Sequence, residues 1–360
     1  MPKILFVAAH RPDRSPSQRF RFEQYLNYFK ENGFDYDFSH VISEEDDKVL
    51  YYPGNYFKKA KIAKKNYRIR KNDLNHAGDY DLIFVQREAF ITGSSYFEKA
   101  FAKKSKLVFD FDDAIWLRDV SQANRKFGWL KNPKKIDKII SVSQLVIAGN
   151  NYLAYYAKQF SKNVIVIPTT IDTDYHKKKS VEKKDNRICI GWTGSITTLK
   201  HFEYAIPFLK KLKEKYKEKI YFKVIGEGGY GNDNIEVDSV DWNRDNEISD
   251  LSEFDIGIMT LPDDKWAKGK CGLKGLSYMA MEIPTIMSRV GVNAEIIKDG
   301  VNGFLATKDE EWIEKISQLI ESKELRERIG KVGRKTVEEK YSVNSQKEIY
   351  LNAFKELLSK

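Results

Sequence analysis

Apolar residues along this chain gather into short runs rich in β-branched and aromatic side chains, separated by longer stretches in which they recur at helical spacing. In the first half the runs are Ile4 to Ala8, Tyr36 to Val41, Leu82 to Gln86, Leu107 to Phe111, Leu145 to Ala148 and Val164 to Ile167, each read as a strand. Gln18 to Phe29 and Asn151 to Phe160 carry helical patterns between them. After Pro168 a polar, lysine-rich stretch from Asp172 to Asn186 reads as a linker. The rhythm then restarts with Ile188 to Trp192, Tyr221 to Ile225, Ile256 to Thr260, Thr285 to Met287 and Phe304 to Ala306. Helical patterns lie among and after these strands: Phe202 to Tyr216, Glu247 to Ser252, Glu310 to Ile320, Glu324 to Glu339 and a closing segment, Ser345 to Leu358. Strands alternating with helices, uninterrupted by hairpin turns, predict parallel sheets covered on both faces. The expected architecture is therefore α/β, with two Rossmann-like, doubly wound domains at 1–170 and 188–340, a linker at 171–187 and a C-terminal helix within 341–360.

Composition narrows the function. A chain of 360 residues, 41% of them hydrophobic, is long enough for two ordinary cores. No segment approaches the roughly 20 apolar residues that span a bilayer, and the opening ILFVAA reads as a first strand rather than a signal peptide. The only cysteines, Cys189 and Cys271, make neither a disulfide framework nor a zinc-ligand spacing, so a reducing, cytoplasmic setting is expected. A formal net charge of +10 favours anionic partners: nucleotide phosphates, lipid headgroups or nucleic acid. Nucleic acid is not expected, because no recognition motif accompanies the charge. The sharpest basic cluster, Lys58 to Lys71, contains no acid and interleaves Ile62 and Tyr67. It has two open readings, contact with a membrane surface or a solvated helix with core-facing aromatics.

Ligands of parallel sheets bind where strands end, so the strand-end loops carry the candidate chemistry. After the run Asp255 to Leu261 comes a basic, glycine-bearing loop, in which Gly269, Lys270, Cys271 and Gly272 open a helix at Leu273. Free N–H groups and the positive dipole end of such a helix suit a phosphate, and Lys270 and Lys274 add point charges. The competing reading is an ordinary loop-to-helix junction with solvated lysines. A second loop, GWTGSITTLK, places Gly194 and Ser195 just past a strand, with Lys200 at the start of the next helix. In the first half, Asp110, Asp112 and Asp113 stand together at one strand end, an arrangement costly to hold unless a cation or hydroxyl meets them. They read as catalytic or acceptor-orienting groups, or as loop-capping ones. His10 ends the first strand, Arg19 and Arg21 follow it, and Arg87 ends the third; these four are acceptor-side candidates, with surface or structural roles as the alternative. The first strand-end loop lacks GxGxxG, which argues against a dinucleotide oxidoreductase.

The segment from Lys268 to Ala306, with its IPTI strand and the run Gly291 to Leu305, resembles the donor-binding region of GT-B glycosyltransferases of the group one (family four) class. The resemblance extends through the C-terminal half and more loosely through the N-terminal half. It implies two Rossmann-like domains facing a cleft, and a final helix that crosses back to the first. It implies transfer of a sugar from a nucleotide diphospho-sugar to an acceptor hydroxyl, with retention of configuration and without metal or cofactor. Donor contacts then fall to Gly194, Ser195, Lys200, Gly269, Cys271, Gly272, Leu273, Lys274 and Ser277, with Lys270 stabilising the leaving diphosphate. Two departures stand out. The family's pair of glutamates eight positions apart is replaced here by Gly269 and Ser277, and of its diphosphate-clamping arginine and lysine only the lysine is matched, by Lys200, with Ser195 at the arginine position. The implied setting is cell-surface polysaccharide or glycolipid assembly, with a glycan or lipid-linked acceptor, in the cytoplasm or peripherally on the inner membrane face. Two rival readings share the phosphate site: a nucleotide-sugar epimerase, and a non-catalytic homologue that serves as a binding subunit.

Overall fold

A computed structural model describes residues 1–52, 54–91, 93–117, 132–181 and 185–360. The chain divides into two compact units, one comprising Met1–Thr169 with Gln346–Lys360, the other Thr170–Ser345. The first unit holds a six-stranded sheet of β1 (Lys3–His10), β2 (Asp35–Ile42), β3 (Leu82–Gln86), β4 (Lys106–Phe111), β5 (Leu145–Ala148) and β6 (Val164–Val166) in the order β2-β1-β3-β4-β5-β6. Every pairing is parallel, as in Ile4 with Leu82 and Gln86 with Asp110. Strands buried on both faces read as unbroken apolar runs, and all five residues of β3 are buried.

The second unit repeats the plan with β7 (Ile188–Thr193), β8 (Ile220–Ile225), β9 (Asp238–Val240), β10 (Ile256–Met259), β11 (Thr285–Ser288) and β12 (Phe304–Ala306), again all parallel, in the order β12-β11-β10-β7-β8-β9. Strand order reverses between β1 and β3 in the first sheet and between β7 and β10 in the second. At such a point the connecting helices leave to opposite faces and open a crevice beyond the carboxyl edge. Both units are thus Rossmann-like, and each has one topologically preferred place for a ligand.

Three features depart from the sequence reading. Strand β9, a short and polar edge strand, was not anticipated; it has no apolar run to announce it. The single helix expected over Gln18 to Phe29 is instead Pro16–Arg19, a tight turn at Glu23–Tyr25 and a helix at Leu26–Glu31. Phe20, Arg21 and Phe22 are all buried, and three consecutive residues cannot share one helix face, so the helix breaks. In the stretch expected as a linker, residues 182–184 lie outside the described residues. Its first part is held within the second unit: Ile171 bridges to Ser342, and Arg334 donates to the carbonyls of Thr173 and His176 at 3.0 and 2.9 Å. The closing helix, Val343–Ser359, packs most of its length in the first unit, where Tyr350 Oη donates to the Arg21 carbonyl at 3.0 Å.

Candidate functional site

In the second unit the crevice between β7 and β10 is lined by glycines whose lack of a side chain is structurally required. Gly194 follows directly on β7, and a Cβ there would stand 2.3 Å from the Trp192 ring, 2.6 Å from Thr198 Oγ1 and 2.8 Å from Lys274 Cε. The Lys274 ammonium lies 5.3 Å from the Trp192 ring centroid, so this side chain crosses the end of β7. Beyond β10, a short helix, Lys265–Lys268, is capped by Asp264 and leads into Gly269 and Lys270. The Lys270 ammonium lies 5.5 Å from the Trp266 ring centroid.

Gly272 is the N-cap of the helix Leu273–Ala280 and adopts φ +73°, the left-handed region that glycine tolerates. A Cβ there would also meet Ile296 Cδ1 at 2.4 Å. The helix therefore begins abruptly, with its first N–H groups at the carboxyl edge of the sheet. Cys271 is buried beside Gly269, its Sγ 3.9 Å from that carbonyl oxygen. Ser277 is buried, and its Oγ donates to the Leu273 carbonyl at 3.0 Å.

The charges of three lysines bear on one buried imidazole. His201 is 4% exposed, directly after the exposed Lys200. Burial first, and then the positive charges of Lys274, Lys270 and Lys200, push its pKa down to about 4, against the weaker pull of Asp264. His201 is thus neutral at pH 7 in an electropositive setting. It was not singled out from the sequence, since a lone histidine in a helical pattern carries no signal. Ser195, which takes the position of the family's arginine, is exposed; its Oγ is 2.9 Å from Thr197 Oγ1 in the turn that leads to Lys200. Asn293 is another residue that the sequence reading missed. It is wholly buried, donates from Nδ2 to the Ser288 carbonyl at 3.1 Å and leaves its Oδ1 without a partner among the described residues, near Gly272.

In the first unit the candidates separate into two groups. Asp110 and Arg21 are both wholly buried; Arg21 Nη2 donates to Asp110 Oδ1 at 2.5 Å and Nη1 to the Ile167 carbonyl at 2.5 Å. Burial pushes the Asp110 carboxyl up, and Arg21 opposes it. This pair lies inside the core. Asp112 and Asp113 lie one turn further along, past the end of β4, and share Arg87: its Nε donates to Asp112 at 2.7 Å and its Nη2 to Asp113 at 2.5 Å. Arg87 holds φ +62°, a strained backbone for a residue with a Cβ, and so is aimed at these carboxylates across the strand ends. Arg19 is buried, with its guanidinium 4.9 Å from the Phe20 ring centroid.

His10 stands at the end of β1. Its Nε2 and the Tyr51 hydroxyl are 2.9 Å apart, and its Nδ1 faces Asp47 at 3.7 Å. Asp47 also takes Arg11 at 2.5 Å and Arg14 at 2.8 Å. Burial, with Arg14, Arg11 and Arg87 adding to it and Asp47 resisting, pushes the His10 pKa down to about 4. Asp47 lies within an acidic helix, Glu44–Leu50, and Tyr51 caps its end; neither was legible as a site neighbour. Among the described residues no group of three or more His, Cys, Asp or Glu side chains is arranged to hold a metal ion.

Residues 187–322 match the family model described as glycosyl transferases group 1. No curated protein matches the chain. Among solved structures, a glycosyltransferase from Rickettsia africae is 16% identical, with a TM-score of 0.69 over 99% of this chain and 98% of that one. The Anabaena protein HepE, solved with UDP and glucose, is 14% identical, with a TM-score of 0.68 over 99% of this chain and 100% of its own. Sucrose-phosphate synthase from Thermosynechococcus elongatus is 11% identical, with a TM-score of 0.70 over the full length of both. The fold is GT-B-like. At these identities the likeness is one of architecture, and any assignment of chemistry depends on this chain's own residues.

Proposed function

We propose that this protein is a glycosyltransferase that moves a sugar from a nucleotide diphospho-sugar to an acceptor hydroxyl, with retention of configuration and without a metal. The observation that carries the reading is that Lys274 crosses the end of β7 beside Gly194 while its own helix starts abruptly at Gly272, where β7 and β10 diverge; Lys200 and Lys270 add positive charge felt in the same region by His201. Breaking the bond from the sugar to the diphosphate leaves an electron pair and growing negative charge on the leaving oxygen. Lysine ammonium groups and helix N–H groups already fixed there would stabilise that charge more in the transition state than in the ground state. Gly194 makes room for the Lys274 side chain, and Gly272 lets the helix start in the left-handed conformation. Ser195 supplies no charge at the family's arginine position, and Lys274, lying across Gly194, takes over that role in this reading.

The match of residues 187–322 to group 1 glycosyl transferases, and the UDP and glucose bound by the Anabaena protein of like fold, support a nucleotide-sugar donor in the second unit. The first unit would supply the acceptor side. There we assign the orienting role to Asp112, Asp113 and Arg87, and a supporting role to the buried pair Asp110 and Arg21. A lipid-linked or anionic polysaccharide acceptor accords with the basic charge. One observation favours a second reading, that of a nucleotide-binding subunit without transfer. Neither Gly269 nor Ser277 offers a carboxylate, and the Ser277 hydroxyl donates to its own helix.

Nucleotide release from a panel of nucleotide sugars, followed with and without simple glycoside acceptors, tests the proposal. Turnover that needs Lys270 supports transfer. Binding without turnover on any donor would leave only the subunit reading.

A further inference from the structure

The basic run from Lys58 to Lys71 lies within one helix, Tyr56–Asn75, and the structure sorts its charges into two groups. Lys59 turns inward and donates from Nζ to the Tyr52 carbonyl at 2.8 Å. Arg70 is wholly buried, donating to the carbonyls of Ala8 and Ala89 and to Asp73. Lys65 pairs with Asp46 on the neighbouring helix. These three hold the helix to its own unit and are not available to a partner.

The remaining five, Lys58, Lys61, Lys64, Arg68 and Lys71, are exposed and make no ion pair among the described residues. Four of them continue a series that begins at Phe57: positions 57, 61, 64, 68 and 71 recur at steps of four and three, which is one face of a helix. That face is opposite the buried positions Ile62, Asn66 and Arg70. At 1.5 Å per residue the series runs about 21 Å in a nearly straight line. Phe57 stands in this line at its N-terminal end, 89% exposed, with Tyr56 beside it at 49%. Together they leave aromatic surface at the end of the cationic line that an apolar partner would bury with gain.

We infer that this face docks on a bilayer surface rich in anionic lipid, with Phe57 entering the interface and the four cations lying along the headgroups. Charge complementarity selects the lipid: a linear array of cations without an acid fits a flat plane of negative charge, and the aromatic anchor fits the boundary between headgroup and acyl chain. A polynucleotide shares the phosphate chemistry but has no such boundary for Phe57. The inference concerns the first unit alone and stands or falls independently of donor chemistry in the second.

Sedimentation of the full chain with vesicles tests it, using phosphatidylcholine alone, phosphatidylcholine with one part in three of phosphatidylglycerol, and single-stranded RNA as a competing polyanion. Binding should appear only on the anionic vesicles and weaken at high salt. At about 1 kcal/mol per cation near the surface, the combined variant K61Q, K64Q, R68Q, K71Q should lose roughly 100-fold or more in partitioning. F57S should weaken binding while leaving its salt dependence in place. All five side chains are exposed, so thermal unfolding should be nearly unchanged. Absent binding to anionic vesicles, whether or not RNA binds, overturns the inference. Undiminished binding of the combined variant does so as well.

Discussion

The Lys274 side chain crosses Gly194 so closely that a Cβ built on the glycine would stand 2.8 Å from Lys274 Cε. A residue on the helix after β10 thereby reaches the end of β7, and the two strands that part at the switch point contribute to one electropositive patch. Gly194→Ala should displace Lys274 and press on the Trp192 ring, with a loss of about 1–3 kcal/mol in stability from overpacking. Nucleotide-sugar affinity should fall at least tenfold. Denaturant unfolding and titration of the same variant check both.

Lys270→Ala and Lys274→Ala each remove one positive charge, the second together with the Lys274 contact over the Trp192 ring. Each should lower kcat/KM by roughly 10²-fold or more, the scale found for a single oxyanion-stabilising group, with little change in melting temperature. Steady-state kinetics with the best donor decide this; unchanged turnover in Lys270→Ala would take that lysine out of the site.

His201 and His10 are both held neutral by burial, with pKa values pushed down to about 4 from the ordinary 6.5. The unfolded chain therefore binds protons between pH 6.5 and 4 that the folded chain does not. Stability is full above pH 6.5 and falls as pH drops towards 4, by an amount on the order of 3 kcal/mol for each histidine. His201→Gln should flatten that part of the melting profile. A profile unchanged by the substitution would show that His201 is already open to protons in the folded state.

The three carboxylates at the end of β4 should differ sharply. Asp110→Ala leaves Arg21 as an uncompensated buried charge and should cost about 3–5 kcal/mol. Asp112→Asn, past the strand end and bonded to Arg87, should cost about 1 kcal/mol or less in stability but reduce transfer to an acceptor more than tenfold. Urea denaturation and acceptor kinetics separate the two roles.

Much of the fold was legible in the sequence because both sheets are parallel and buried, so eleven of the strands appear as apolar runs; β9, polar and at an edge, left no such trace. The broken helix after β1 was not legible, because the cause is distant. Arg21 is turned into the core by Asp110, 89 residues away, and no local pattern records that pairing. Glycines and lysines at strand ends marked the loops, since ligand-binding edges require those residue types. The approach of Lys274 to Gly194 is a product of strand order: β7 and β10 lie far apart in sequence and adjacent in the sheet. The direction of a charge run is likewise invisible in one dimension, and only the helix Tyr56–Asn75 separates Lys59 and Arg70 from their outward neighbours.

The most direct test is a thermal-shift comparison of the unsubstituted protein and a Lys270→Ala, Lys274→Ala double variant across UDP-, GDP-, ADP- and CMP-sugars. A ligand that binds only the folded state adds about 2.7 kcal/mol at a hundred times its Kd, a shift of several degrees. A clear rise with one donor class, largely lost in the double variant, is the predicted result. No rise with any nucleotide sugar, or an equal rise in the double variant, would contradict a donor site at the lysines between β7 and β10.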